Sequence, residues 1–221
     1  MTPGRPLSDD VITHQRVGVR TPLTRLGDRA KGGCRFDVGC SHWDDIRRVG
    51  SELTDKYVLG QQLRGKEFCE ICVARERSSG QLYSCKRYSK KSGRSVRRAA
   101  RMEIRILKMV KHPNILQLIE TFETRQEYFI IQDLAMGGDL FDWILDRGTY
   151  TEMDAREVVK QVLQTISYLH SLNIVHRNIK LENLMYYRLD SHCKVVIGDF
   201  HLARIEMGPI SDPCGTPEYL V

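Results

Sequence analysis

The stretch "IVHRNIKLENL", residues 174–184, packs His176, Arg177, Asn178, Lys180 and Asn183 between apolar ends. Upstream, Ala155, Val158, Val159, Val162, Leu163, Ile166 and Leu169 recur at helical spacing as one apolar stripe. Thr151, with Asp154 three residues on, supplies the cap that starts that helix. Downstream come short apolar runs at 184–187 and 194–197, then "GDFHLAR" and the terminal "CGTPEYLV".

Farther out, order is expected to begin near "DKYVLGQQL", with strands at 57–63, 68–75 and 81–88. The turn signal "RSSG" separates the last two, which makes an antiparallel meander. Residues 94–110 follow as a helix whose inner stripe is Ala99, Glu103, Ile106, Leu107 and Val110. A carboxylate amid that stripe needs a cationic partner. "KHPNILQLIETF" (111–122) and "EYFIIQDL" (127–134) read as two more strands, and "GGDLFDWILDR" as a short helix after a Gly-Gly break. Residues 1–50, rich in Gly, Arg, Pro and Asp and without period, read as a disordered or loosely ordered extension.

With 41% hydrophobic residues in 221, the chain can bury a real core. It has no apolar run of 18 residues, no secretory signal in "MTPGRPLSDD", and Thr2 where N-myristoylation needs Gly. A cytosolic setting with reduced thiols is expected, because the seven Cys are odd in number and irregularly spaced. Cys69 and Cys72 form a lone CxxC; in a strand, residues three apart face opposite ways, so a metal role is disfavoured there. Cys34, Cys40 and His42 are equally weak metal candidates. The net charge of +6 suits an anionic partner without specifying one.

The motifs "YSCK", "MEIRILKMVKHPNIL", "GGDLFDWI", "VHRNIKLENL", "DFHLA" and "CGTPEYL", in that order, make residues 51–221 resemble a protein kinase of the calcium/calmodulin-dependent group. The resemblance implies an α+β bilobal fold. Its small lobe, about residues 51–132, holds five antiparallel strands and one major helix, and its large lobe, about 133–221, is mainly helical and truncated. It also implies roles: Lys86 pairs with nucleotide phosphates and Glu103 anchors it, Asp199 and Asn183 ligate magnesium, and Lys180 meets the γ-phosphate. His176 and Arg177 fall at structural positions of the loop.

Three departures weaken the implied activity. Asn178 stands where the catalytic loop has its Asp, and an amide oxygen is too weakly basic to take a hydroxyl proton, a loss of about 10² to 10⁴ in rate. With Leu63 and Phe68 matched to L-G-x-G-x-F, Arg64, Lys66 and Cys69 occupy the three glycine positions, leaving only a displaced Gly65. These side chains are expected to hold the loop off a nucleotide or fill its site, although Arg64 and Lys66 are cations able to attract phosphate in another geometry. In Asp199-Phe200-His201 an imidazole replaces the Gly of D-F-G.

The expectation is therefore a pseudokinase: a non-catalytic signalling scaffold or regulator with weak or absent binding of ATP and Mg, at millimolar affinity, about 4 kcal/mol short of micromolar. Its rival is a low-activity serine/threonine kinase. The chain ends soon after "GTPEYL", so the remaining large-lobe helices and the calmodulin-binding segment are expected to be absent from it, and the stripe on 153–172 to be uncovered. Protein partners are expected, calmodulin and vesicle association by resemblance only, nucleic acid not at all. The run 86–111, with eleven Lys or Arg against Glu103, reads as a solvated helix face, with docking on an acidic partner or anionic membrane as the third reading.

Overall fold

The turn at Gly80, with φ of 74°, lets the chain reverse so that Gly80 N–H reaches Glu76 O at 2.9 Å. It joins β2 (Glu70–Glu76) to β3 (Leu82–Ser89) in a computed structural model that describes residues 51–65, 68–147, 150–188, 193–209 and 213–220. The expected extension 1–50, including Cys34, Cys40 and His42, lies outside the described residues, as does Lys66. A short helix α1 (Ser51–Lys56) leads into β1 (Tyr57–Gly65), earlier than the sequence pattern indicates. With β4 (Leu118–Glu123) and β5 (Glu127–Asp133), these strands form one antiparallel sheet in the order β1-β2-β3-β5-β4.

Both faces of that sheet are covered. On one, Leu53, Tyr57, Ala74, Cys85, Phe129 and Ile131 make a small core. On the other, Tyr88, Tyr128 and Ile130 join the main core with Val96, Ala100, Ile106 and Leu107 of helix α2 (Arg94–Met109). This explains why consecutive residues of β5 are all buried: alternate side chains enter different cores. Cys69, just before β2, lies in the main core and Cys72, on β2, against the small one. Neither is in a disulfide.

Two expectations need correction. Helix α2 turns Ala100, not Ala99, fully inward, because Val96 at i−4 shares its face. Residues 111–117 are not strand. Pro113 and Asn114 make a turn there, with Ile115 N–H on His112 O at 3.1 Å. Asn114 then docks the segment on the other lobe through its Nδ2 on Val195 O, 2.7 Å, and Gln161 Oε1, 2.8 Å.

Beyond β5 stand α3 (Leu140–Arg147) and α4 (Glu152–Ser171), then the two-residue β6 (Ile174–Val175). After the catalytic-loop stretch, β7 (Leu184–Tyr186) pairs with β8 (Val195–Ile197), and β9 (Arg204–Ile205) pairs with β6. Thr151 Oγ1 accepts from Asp154 N–H at 3.1 Å while Asp154 Oδ2 accepts from Thr151 N–H at 3.3 Å, the reciprocal cap read from the sequence. Of the expected stripe on α4, Val158 and Leu169 are buried, whereas Val159 and Leu163 face solvent, 53% and 59% exposed. No helix among the described residues is long and apolar enough to cross a membrane.

Candidate functional site

Lys86 projects from β3 between Ile71 and Ile130 of the neighbouring strands, so its stem is buried while its Nζ enters the cleft under the sheet. There it donates to Glu103 Oε1 at 2.8 Å and Oε2 at 3.1 Å, and to Asp199 Oδ1 at 2.7 Å. Burial alone would lower the Lys86 pKa, but Asp199 and Glu103 outweigh it and hold the ammonium well above its ordinary value. The carboxylate on the inner face of α2 thus has the cation it needs. Tyr88, one turn of the pleat away, donates its hydroxyl to Glu103 Oε2, and burial followed by that carboxylate pushes the phenol well up. Sequence reading missed Tyr88, although i+2 from Lys86 on one strand is a same-face position.

The loop of residues 174–184 is held by its own polar groups. His176 Nδ1 accepts from Asn178 N–H at 3.3 Å, and Nε2 lies 3.1 Å from Gly198 O, which fixes that nitrogen as the donor. Burial lowers the His176 pKa to about 4, so the ring is neutral and Phe200 packs on its edge, centroids 4.7 Å apart. Arg177, in the left-handed region at φ 65°, donates Nε–H to Leu202 O at 2.8 Å. Asn178 Oδ1 accepts the Thr216 hydroxyl at 2.9 Å, and its carbonyl accepts from Asn183 Nδ2 at 2.9 Å. Lys180 Nζ stands 3.8 Å from Glu182 Oε1. Gly198 N–H bonds Asn183 O at 3.0 Å, bringing the two expected metal positions, Asn183 and Asp199, onto adjoining strands of backbone.

Asp199 also sits in the left-handed region, at φ 65°. Its Oδ1 faces His201 Nδ1 at 2.9 Å as well as Lys86. The imidazole that replaces glycine is therefore turned back onto the carboxylate two residues before it, and Phe68 of the β1–β2 connection lies over it with ring centroids 6.4 Å apart.

Arg64 makes contacts that the sequence did not indicate. From the end of β1 its guanidinium crosses the cleft and pairs with Asp139, stands 4.0 Å from Asp142 Oδ2, and donates Nη1–H to Glu182 O at 3.3 Å. Asp139 caps α3, its Oδ1 accepting Asp142 N–H at 2.9 Å, and its side chain is only 2% exposed. The charge of Arg64 is thus matched by Asp139 within the protein. Cys69 is buried in the main core, where a glycine would bring no side chain. Among the described residues no group of three or more His, Cys, Asp or Glu converges as a metal site.

A five-stranded antiparallel sheet, a buried Lys–Glu pair from strand to helix, and a loop joining Asn178, Asn183 and Asp199 across the cleft decide the family together with the match of residues 57–221 to the protein kinase domain. The chain belongs to the protein kinase family. This kinase domain is 59% identical over 184 residues to the human CaM kinase-like vesicle-associated protein, covering 82% of this chain and 37% of that one. The protein of that name from Danio rerio is 58% identical over 170 residues, covering 77% and 39%. Calcium/calmodulin-dependent protein kinase type 1 of Macrobrachium nipponense is 39% identical over 170 residues, covering 76% and 49%. The chain spans less than half the length of each of these relatives.

Proposed function

We propose that this kinase domain works as a non-catalytic scaffold or regulator of the CaM kinase type, a pseudokinase with weak or no ATP binding. The observation that carries the reading is at Asn178, whose amide oxygen takes the Thr216 hydroxyl as a hydrogen bond where proton abstraction would need a carboxylate. The Arg64–Asp139 pair supports it, because it ties the end of β1, at the first substituted glycine position, to the start of α3. Lys86, Glu103, Asn183 and Asp199 would be the residues to hold nucleotide and magnesium, with Lys180 toward the γ-phosphate. Bound magnesium would neutralise charge on the phosphates. Asp199 Oδ1, however, already receives Lys86 and His201, so the group fits this site poorly.

Vesicle association comes to the reading from the names of the relatives, and calmodulin as a partner from kinship with CaM kinases alone. Titrating the full-length protein with ATP, with and without magnesium, while following thermal melting tests the proposal. No shift below millimolar nucleotide is expected; a micromolar, magnesium-dependent dissociation constant would overturn it. The intact Lys86–Glu103 pair favours a second reading, a low-activity serine/threonine kinase using Lys86, Glu103, Asn183 and Asp199. Autophosphorylation lost in Asp199→Asn would establish that one.

A further inference from the structure

Helix α2 carries Arg94, Arg97, Arg98, Arg101, Arg105 and Lys108, all exposed. At about 100° per residue these six fall within an arc of about 100°, directly opposite the buried Val96, Ala100, Glu103, Ile106 and Leu107. At about 1.5 Å per residue the stripe runs about 20 Å along the helix. Among the described residues no ion pair engages Arg94, Arg97, Arg98, Arg105 or Lys108. Arg101 donates to the Tyr128 hydroxyl at 2.8 Å and lies near Glu123, whose main partner is Lys90 at 2.6 Å.

For the helix alone this arrangement is unfavourable. The first turn holds no acid and two arginines, against the helix dipole. Arg94/Arg98, Arg97/Arg101 and Arg101/Arg105 are like-charge pairs at i and i+4, each destabilising. Among the described residues no carboxylate pairs with these side chains, which leaves them open to an external anion.

We infer that this stripe is the surface by which the domain lies on an anionic membrane, its guanidinium groups meeting lipid phosphate and carboxylate headgroups. The inference rests on the vesicle association proposed above and names its contact face and lipid class. A row of cations on the exposed side of a helix, with the apolar side spent on the protein's own core, suits a charged plane touched without insertion. Because Glu103 on the inner side of the same helix holds Lys86, docking would also bear on the helix that positions the cleft.

The test is co-sedimentation of the full-length protein with vesicles of phosphatidylcholine containing roughly 30% phosphatidylserine, across a salt series. Binding is expected to need the anionic lipid and to weaken steeply with salt. Arg97→Gln, Arg98→Gln and Arg105→Gln together should weaken it about 100-fold, about five-fold for each charge. Their melting temperature should stay level or rise, since repulsion is removed, and Arg156→Gln with Lys160→Gln on α4 should leave binding unchanged. Equal binding by the triple variant, with the protein still on native vesicles, overturns the stripe and leaves the vesicle reading standing. Absence from native vesicles overturns that reading itself. Stripe-dependent binding to polyglutamate without binding to the anionic vesicles overturns the lipid as occupant and assigns the face to an acidic protein.

Discussion

At Asn178 the difference between an amide and a carboxylate decides whether a hydroxyl can lose its proton. Restoring Asp there supplies about 10² to 10⁴ in rate, but positioning and charge neutralisation carry most of phosphoryl transfer. Arg64 on Asp139 and His201 on Asp199 both remain in Asn178→Asp. That variant, assayed for phosphate transfer to a basic peptide, should stay below about 1 s⁻¹, the lower bound for working kinases; turnover above it would displace the scaffold reading. Lys86 poses a different question, because in a scaffold its ammonium is structural. Lys86→Met strands Glu103 and Asp199 without their cation in a buried site, which should cost about 3 to 5 kcal/mol in urea melts. His176 adds a pH dependence. Its pKa is about 4 folded against an ordinary 6.5, so the folded state resists its protonation. The associated stability is whole above pH 6.5 and falls away as pH drops toward 4, about 3 kcal/mol at most. His176→Gln should flatten the melting temperature over that window relative to the parent.

Among the elements, α4 shows how far a periodic pattern can be trusted. Its cap was legible because Thr151 and Asp154 act within one turn, and Thr151→Ala should lower stability by about 1 kcal/mol in thermal melts. Its inner face was legible only in part. Seven apolar residues share the stripe, but the packing partners cover Val158 and Leu169 and leave Val159 and Leu163 in solvent. Replacing those two with Lys should therefore change stability by no more than about 0.5 kcal/mol each, while reducing binding of a hydrophobic dye. The five strands and α2 were readable for the same local reason, since alternation and 3.6-residue spacing are carried by neighbours in sequence. Residues 111–117 were not, because their apolar letters serve a turn whose partners, Gln161 and Val195, lie far along the chain. Of the candidate site, Lys86, Glu103, Asn178, Asn183 and Asp199 converge as the motif order implied. Asp139 could have been noted as a helix cap after Gly137 and Gly138, but nothing local links it to Arg64.

For the whole molecule, that link is one of the joints between its two lobes, beside Asn114 and Lys86. Arg64 belongs to the sheet, Asp139 to α3 and Glu182 to the loop before β7, so one guanidinium ties the upper layer to two elements of the lower. Its planar fork can serve carboxylate and carbonyl together, which a lysine ammonium at the same place could not reproduce. In Arg64→Gly the clamp disappears and β1 regains the freedom to lift. The nearly buried Asp139 then keeps only the N–H of Asp142, so melting temperature should fall and amide exchange should quicken in β1 and at the start of α3. The same opening should make the cleft more accessible, so that millimolar ATP raises the melting temperature of Arg64→Gly more than that of the parent. Arg64→Lys, retaining charge without the fork, should lie between the two. A variant with unchanged melting, unchanged exchange and no added nucleotide response would show that Arg64 merely rests on Asp139. The proposed weakness of nucleotide binding would then have to be sought elsewhere, first at Asp199 and His201.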